Sequence, residues 1–318
     1  MAKTITIVGA TGAQGRGVAT AFLNNPSYHV RAITRNPSSP SAQALAAQGA
    51  EVVQADLNSL PSLKSAFAGS QIVFGVTNFF EPFTTFQSPD KAMDVEVQQG
   101  INLALAASQT EGLEHYVWST LPDIQSISQG KYVVPHFEGK SRVDRYIRGE
   151  LPELAEKTTF LWVTFYAANY KFPMFTPIWV PSASRYVQLG SYAGETPITT
   201  VGDVEKNIGP FVKGVVEGGE KARGEIVLAS VGGYTANEML QLWAKVKGTE
   251  ATFARVGGDV YREIWPLWGE EMGVMMEFWD EYKERSWIDV EGRKVLKKED
   301  LGITGLEGLE EAYKTLEL

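Results

Sequence analysis

The chain has 318 residues, 44% hydrophobic and 21% charged, enough for two cores or for one large core with a smaller second lobe. Its net charge of −9 is concentrated late: residues 151–318 hold 26 Asp and Glu against 18 Lys and Arg, while residues 1–150 hold 12 against 11, which leaves no footprint for nucleic acid or an anionic lipid surface. The absence of cysteine removes disulfides, thiol catalysis and cysteine-ligated metal, and three scattered histidines, His29, His115 and His136, argue against any metal site.

In chain order, residues 4–9 are apolar and β-branched and predict a first strand, and 17–24 have helical spacing. Residues 28–35, 51–55 and 71–76 predict strands, with helices at 41–48 and 60–68 between them. A proline- and polar-rich stretch at 81–90 reads as a loop. Residues 93–108 then predict a long helix and 115–119 a strand. Such alternation means βαβ units and a parallel sheet covered by helices on both faces. Beyond about residue 150 the pattern loosens. Residues 159–165 predict another strand, and 170–200 irregular structure with short strands. Helices follow at 208–217 and 236–245 with a strand at 225–229 between them, and 261–282 reads as one apolar-faced helical region. The first strand begins within a few residues of Met1, which leaves no room for a signal peptide, and no apolar run approaches the length of a membrane span. A cytoplasmic protein that engages neither membrane nor nucleic acid is the expectation.

Between the first strand and the first helix stands GATGAQG, in which Gly9, Gly12 and Gly15 form GxxGxxG. A chain that leaves a strand sharply, approaches a pyrophosphate with its backbone and packs a helix onto the sheet needs positions without a Cβ, and the helix N-terminus then faces the anion. The second strand ends in TRNP. Arg35, with Thr34 and Asn36, occupies the place where an NAD-preferring domain offers a carboxylate, and its guanidinium fork favours a 2′-phosphate, hence NADP(H). Asp56, ending the third strand, is placed either to meet the adenine amine or to cap the next turn.

With GATGAQG, TRNP, ADL, FGVTNFFE, HYVWST and PHFEGK in this order, the chain resembles the NmrA-like family of atypical short-chain dehydrogenase/reductases, related to isoflavone reductase-like enzymes. The resemblance implies an α/β fold, a Rossmann-type doubly wound parallel sheet with a smaller α+β C-terminal lobe, and NADP(H) in the cleft between them. On this reading residues 1–155 form the NADP-binding domain, which also receives strands from the later half. Residues 156–318 form an interleaved lobe that binds substrate or partner. Some members of the family resemble working reductases and others resemble redox-sensing regulators.

The candidate cofactor residues are Gly9, Thr11, Gly12, Ala13, Gln14 and Gly15 in the loop, with Arg35 and Asp56 at the ends of the next strands. By resemblance, Thr77 and Asn78, Tyr166 and Asn169, and Lys140 join them, the lysine reaching the nicotinamide ribose. A reductase of this kind also needs a proton donor, commonly a tyrosine four residues before the lysine on one helix face. Here that position is His136, and Pro135 excludes Tyr132 from the same helix. His136 is therefore a candidate acid or a helix-start residue packed on the sheet. Ser119 and Thr120, ending a strand, are candidates to polarise a substrate carbonyl or serve the turn, and Tyr166 is either pocket wall or a substitute acid. Asp203 reads as a helix cap. The aromatic and methionine content of 162–180 and 261–287 suggests an apolar cleft for a small apolar or aromatic molecule, and the segment 79–90 a lid over it. These features point to an NADPH-dependent reductase acting on a C=O, C=C or C=N bond. The alternative is a non-catalytic NADP(H)-sensing regulator that acts through a protein partner.

Overall fold

The computed structural model describes residues 2–318. The run KTITI forms β1 (Lys3–Ile7), followed by α1 (Ala13–Leu23) and β2 (Tyr28–Thr34). Next come α2 (Pro40–Ala47), β3 (Glu51–Gln54), α3 (Leu60–Phe67) and β4 (Ile72–Gly75). Then follow α4 (Phe80–Phe86), α5 (Pro89–Ser108), β5 (His115–Thr120), the short α6 (Ile124–Ile127), α7 (Pro135–Glu150), α8 (Pro152–Ala155) and β6 (Thr158–Val163).

The later half adds β7 (Phe165–Tyr166), β8 (Ile178–Val180), β9 (Arg185–Gly190) and β10 (Pro197–Gly202), then α9 (Val204–Gly218), β11 (Ile226–Ala229) and β12 (Gly232–Thr235). It closes with α10 (Ala236–Lys247), β13 (Ala251–Arg255), α11 (Gly258–Ile264), α12 (Trp268–Tyr282), β14 (Val295–Leu296) and α13 (Leu309–Thr315).

Eight strands form one parallel sheet in the order β14-β11-β6-β5-β4-β1-β2-β3. Strand β1 lies beside both β2 and β4; the winding reverses there, which opens a crevice at the carboxyl ends of the strands. The extended chain through β1 feeds cores on both faces: Ile5 and Ile7 pack with Phe22, Val117 and Phe211 on one, and Val8, the residue after the strand, with Leu63, Phe67 and Trp118 on the other. Two small three-stranded sheets, β12-β10-β7 and β13-β9-β8, belong to the later half. They pack with α10 and α12 around a core rich in methionine and aromatics, including Met272, Met276, Phe278 and Trp279. Strands β11 and β14 return from that half to the edge of the main sheet.

Helix starts follow local chemistry. Ser39, Ser59 and Ser88 accept backbone hydrogen bonds at the N-termini of α2, α3 and α5, each with proline in the first turn, and Asp203 caps α9 as its sequence suggested. The stretch 79–90 differs from the expected loop. Its prolines start helices instead of breaking them: Pro82 lies in the first turn of α4 and Pro89 opens α5 four residues ahead of the expected start. Residues 261–282 are likewise two helices. The chain breaks at Pro266 and at Leu267, whose φ of +67° leaves the helical region.

Candidate functional site

A cavity of about 820 Å³ runs along the carboxyl edge of the sheet. Its floor at the β1 end is the glycine loop. Gly9 has φ +64°, and a Cβ on Gly15 would come within 2.2 Å of the Gly9 carbonyl oxygen, so neither position accepts a larger residue without moving backbone. Gly12 is the N-cap of α1 and offers no side-chain hydrogen bond, and no acidic residue lies in the first turn. The first N–H groups of this helix therefore face the cavity as anion donors. Arg16, beyond the loop, pairs with Glu205 at 2.6 Å and is not among the cavity-lining residues.

The structure gathers every candidate residue around this one space. Gly9, Thr11, Gly12, Ala13, Gln14 and Gly15 line it, as do Arg35, Asp56, Thr77, Asn78, Ser119, Thr120, His136, Lys140, Tyr166 and Asn169. Three of them form a chain across the floor. Ser119 Oγ donates to Gln14 Oε1 at 2.8 Å, and Gln14 Nε2 donates to the Tyr166 hydroxyl at 2.7 Å. Burial pushes the Tyr166 phenol up to about 12, the Gln14 hydrogen bond opposing, so it keeps its proton at neutral pH. Thr120 differs from its neighbour. Its hydroxyl donates to the Asp144 carboxyl at 2.8 and 3.0 Å, as the Trp118 indole N–H does at 2.7 Å, and is thereby committed to holding α7 against β5. Burial pushes the Asp144 carboxyl up to about 7 against these hydrogen bonds.

Helix α7 begins at Pro135, so His136 and Lys140 lie one turn apart on it while Tyr132 stands outside, donating to Glu281 at 2.8 Å. Lys140 Nζ donates to Thr77 Oγ1 and to Glu96 Oε1, each at 2.9 Å, with a longer contact of 3.4 Å to the Thr77 carbonyl. Thr77 in turn donates to Glu96 at 2.8 Å. The Glu96 side chain is fully buried, and its second oxygen has no partner. Sequence reasoning missed Glu96, although Met93, Glu96, Gly100 and Leu103 share the buried face of α5 at helical spacing.

A second buried glutamate holds His136. Glu271 Oε1, on α12, lies 2.5 Å from His136 Nδ1 and accepts the His136 backbone N–H at 3.1 Å. It supplies at the start of α7 the acceptor that Val134, the N-cap, does not. A carboxylate accepting from both groups fixes Nδ1 as the nitrogen that carries hydrogen, so Nε2 is the ring atom left for a cavity ligand. Glu271 shares its helix face with Met275 and Phe278, and a lone acid in that apolar stripe was the available signal. Around His136 the cavity becomes aromatic: Phe79 and Phe80 lie 5.9 and 5.5 Å from the imidazole, and Phe172, Met272, Met275 and Trp279 continue the wall.

Arg35 lines the same cavity, and both its terminal nitrogens donate to Glu81, at 2.6 and 3.0 Å. Asp56 accepts from the backbone and side-chain amides of Asn58 at 2.9 Å each, which is the turn-forming arrangement, while still lining the cavity. Asn78 accepts the Phe80 N–H at 3.1 Å at the start of α4. Among the described residues no group of His, Asp and Glu could hold a metal ion, and no helix is long and apolar enough to cross a membrane.

The model of the NmrA-like family matches residues 1–310. Among curated proteins, the chain is 30% identical over 262 residues to the NmrA-like family domain-containing oxidoreductase hkm9 of Aspergillus hancockii, with 79% of this chain and 74% of the relative covered. It is 32% identical over 268 residues to the oxidoreductase cpsB of Aspergillus campestris, covering 79% and 75%. Among solved structures it is similar to NmrA, a negative transcriptional regulator, in complex with NADP: TM-score 0.76, 19% identity, 99% of this chain and 95% of that one. The Citrobacter sp. triphenylmethane reductase complexed with NADP(H) gives a TM-score of 0.70 at 20% identity, covering 98% and 99%. At these identities the solved structures speak for the fold.

Proposed function

The chain belongs to the NmrA-like family, and from that premise we propose that it is an NADPH-dependent oxidoreductase that reduces a C=O, C=C or C=N bond of a small, largely apolar metabolite. The observation that carries this reading is the meeting of His136, held by Glu271, with Lys140 one turn away, in a cavity that has a glycine-loop floor at one end and an aromatic wall at the other.

The residues fit the dinucleotide by their own chemistry. A Cβ at Gly15 would collide with the Gly9 carbonyl and one at Gly9 would crowd Val76, so the tight loop depends on both glycines, and the uncapped N-terminus of α1 that it presents supplies N–H donors for a pyrophosphate. Arg35 supplies a bidentate fork for a 2′-phosphate. Lys140 has three N–H donors and only two short partners, so it can exchange its long contact to the Thr77 carbonyl for a ribose hydroxyl. Its charge is balanced by Glu96, which suits it to orienting a ligand more than to giving up a proton.

When bound, the reduced nicotinamide supplies a hydride to the electrophilic carbon. The electron pair of the double bond moves to the heteroatom, or to the second carbon of a conjugated C=C, and a proton must arrive there. His136 is the assigned donor in its doubly protonated form: Nδ1–H stays anchored on the Glu271 carboxylate, the Nε2 proton transfers, and the ring is left as the neutral Nδ1–H tautomer. The Tyr166 phenol, protonated at neutral pH, and the Ser119 hydroxyl lie on the floor as further hydrogen-bonding groups. The Phe80, Phe172 and Trp279 wall excludes water and accepts an apolar body.

The test is NADPH oxidation by the wild-type chain against ketones, enones and imines, repeated with Lys140→Ala. Turnover that is lost in the variant supports the reading. Tight NADPH binding without turnover across the panel would favour the NADP(H)-sensing regulator instead.

A further inference from the structure

Helix α4 roofs part of the cavity, with Phe80, Glu81, Pro82, Thr85 and Phe86 among the lining residues. At the aromatic end Phe80 stacks on Trp268 at 5.7 Å and 25°, and Phe83 meets the same indole edge-on at 4.9 Å. Phe79 and Phe83 are buried and stacked on each other at 5.3 Å, so the helix is fixed by packing. Glu81, the residue after Phe80 and so about 100° further round the helix, reaches Arg35, and its two oxygens take the two terminal nitrogens of the guanidinium. The carboxylate thus fills the guanidinium fork in the manner open to a phosphate monoester.

We infer that Glu81 is an internal competitor for the cofactor's 2′-phosphate, and that a dinucleotide bearing this phosphate releases the Arg35 end of α4 while one bearing a 2′-hydroxyl leaves it clasped. The inference rests on the proposed role of Arg35. One fork cannot give both terminal nitrogens to two anions at once, and a phosphate seated on Arg35 stands beside the Glu81 carboxylate and repels it. A 2′-hydroxyl carries no charge and needs no such exchange. Because Phe80, the residue before Glu81, lies 5.5 Å from the His136 ring, exchange at Arg35 reaches the aromatic wall beside His136 directly. Glu81 is thereby a specificity-determining residue that lowers the affinity for the phosphorylated cofactor and ties its binding to loosening of the roof.

The pair is solvent-exposed, with 65% and 51% of the two side chains accessible, so the competition is modest, on the order of a two- to five-fold effect on affinity. The experiment titrates NADPH and NADH, by nicotinamide fluorescence, into the wild type, Glu81→Gln and Arg35→Ala, and follows hydrogen exchange of the α4 amides at saturation with each nucleotide. Expected are tighter NADPH binding by Glu81→Gln with NADH binding unchanged, and faster exchange in α4 of the wild type with NADPH than with NADH. Unchanged NADPH affinity in Glu81→Gln, or equal exchange with both nucleotides, would overturn the inference; if Arg35→Ala still loses NADPH preference, the cofactor reading stands without it. Retained NADPH preference in Arg35→Ala would instead remove the role of Arg35 itself, and the inference with it.

Discussion

Replacing Glu271 with alanine deletes the acceptor shared by the ring Nδ1 and the backbone N–H of His136, at 2.5 and 3.1 Å. Both donors are left in a buried setting, since His136 is 8% and Glu271 2% exposed. Two unsatisfied buried donors, one of them part of a charge-assisted pair, cost about 2–4 kcal/mol of stability. Glutamine keeps an oxygen within reach of both donors and loses only the charge, so Glu271→Gln costs about 1 kcal/mol. The catalytic effect is separate. A histidine whose tautomer and orientation are no longer fixed loses much of the value of a positioned proton donor, about 10²-fold in kcat. Glu271 lies on α12, away from the glycine loop, so NADPH affinity stays at the wild-type value in both variants. The assay pairs urea denaturation with NADPH binding and with turnover of the best carbonyl, enone or imine substrate. If Glu271→Ala loses stability yet keeps the wild-type kcat, the glutamate is only a structural cap on α7 and the reasoning fails.

Further outcomes follow from other buried groups. Lys140→Ala leaves Glu96 fully buried without its cation and destabilises the fold by about 3–5 kcal/mol; adding Glu96→Gln restores much of that stability in urea but not turnover, whereas recovery of both would mean that Lys140 only neutralises Glu96. His115 gives a pH dependence. Thr159 Oγ1 donates to the Ala222 carbonyl at 2.6 Å and so accepts from His115 Nε2 at 2.7 Å, and burial depresses the imidazole from 6.5 to about 3. With the folded value below the unfolded one, this contribution is complete above pH 6.5 and is lost as pH falls toward 3. From pH 7 to pH 5 the wild type loses about 2 kcal/mol through this group. His115→Gln shows a smaller difference between those two pH values by urea denaturation, and an unchanged difference would refute the assignment.

Residues that act through their own backbone or through local spacing were legible in the sequence. The glycine loop between β1 and α1, Arg35 at the end of β2 and the start of α7 at Pro135 are all stated by short stretches, and a parallel sheet follows from strand–helix alternation. Partners that arrive from elsewhere in the chain were not legible. Glu96 meets Lys140 from α5, Glu271 meets His136 from α12, and Glu81 meets Arg35 from α4, pairings set by topology over 44, 135 and 46 residues. Glu96 and Glu271 do leave a trace, each being a single acid on an otherwise apolar helical face. Helix α4 was hidden because Pro82 and Pro89 read as breakers, while their place in first turns makes them helix starters. Asp144, four residues beyond Lys140 on α7, likewise reaches the Thr120 hydroxyl through topology, and no local spacing announces it.

The central claim is that this cavity moves a hydride from NADPH to a small apolar acceptor with His136 and Lys140 beside it. The most direct measurement uses NADPH deuterated at the transferable nicotinamide position, incubated with the wild-type chain and the ketone, enone and imine panel, with products read by mass spectrometry. The account predicts a product carrying one deuterium on the reduced carbon, formed by the wild type and not by Lys140→Ala. NADPH that binds tightly while no acceptor gains deuterium would contradict it.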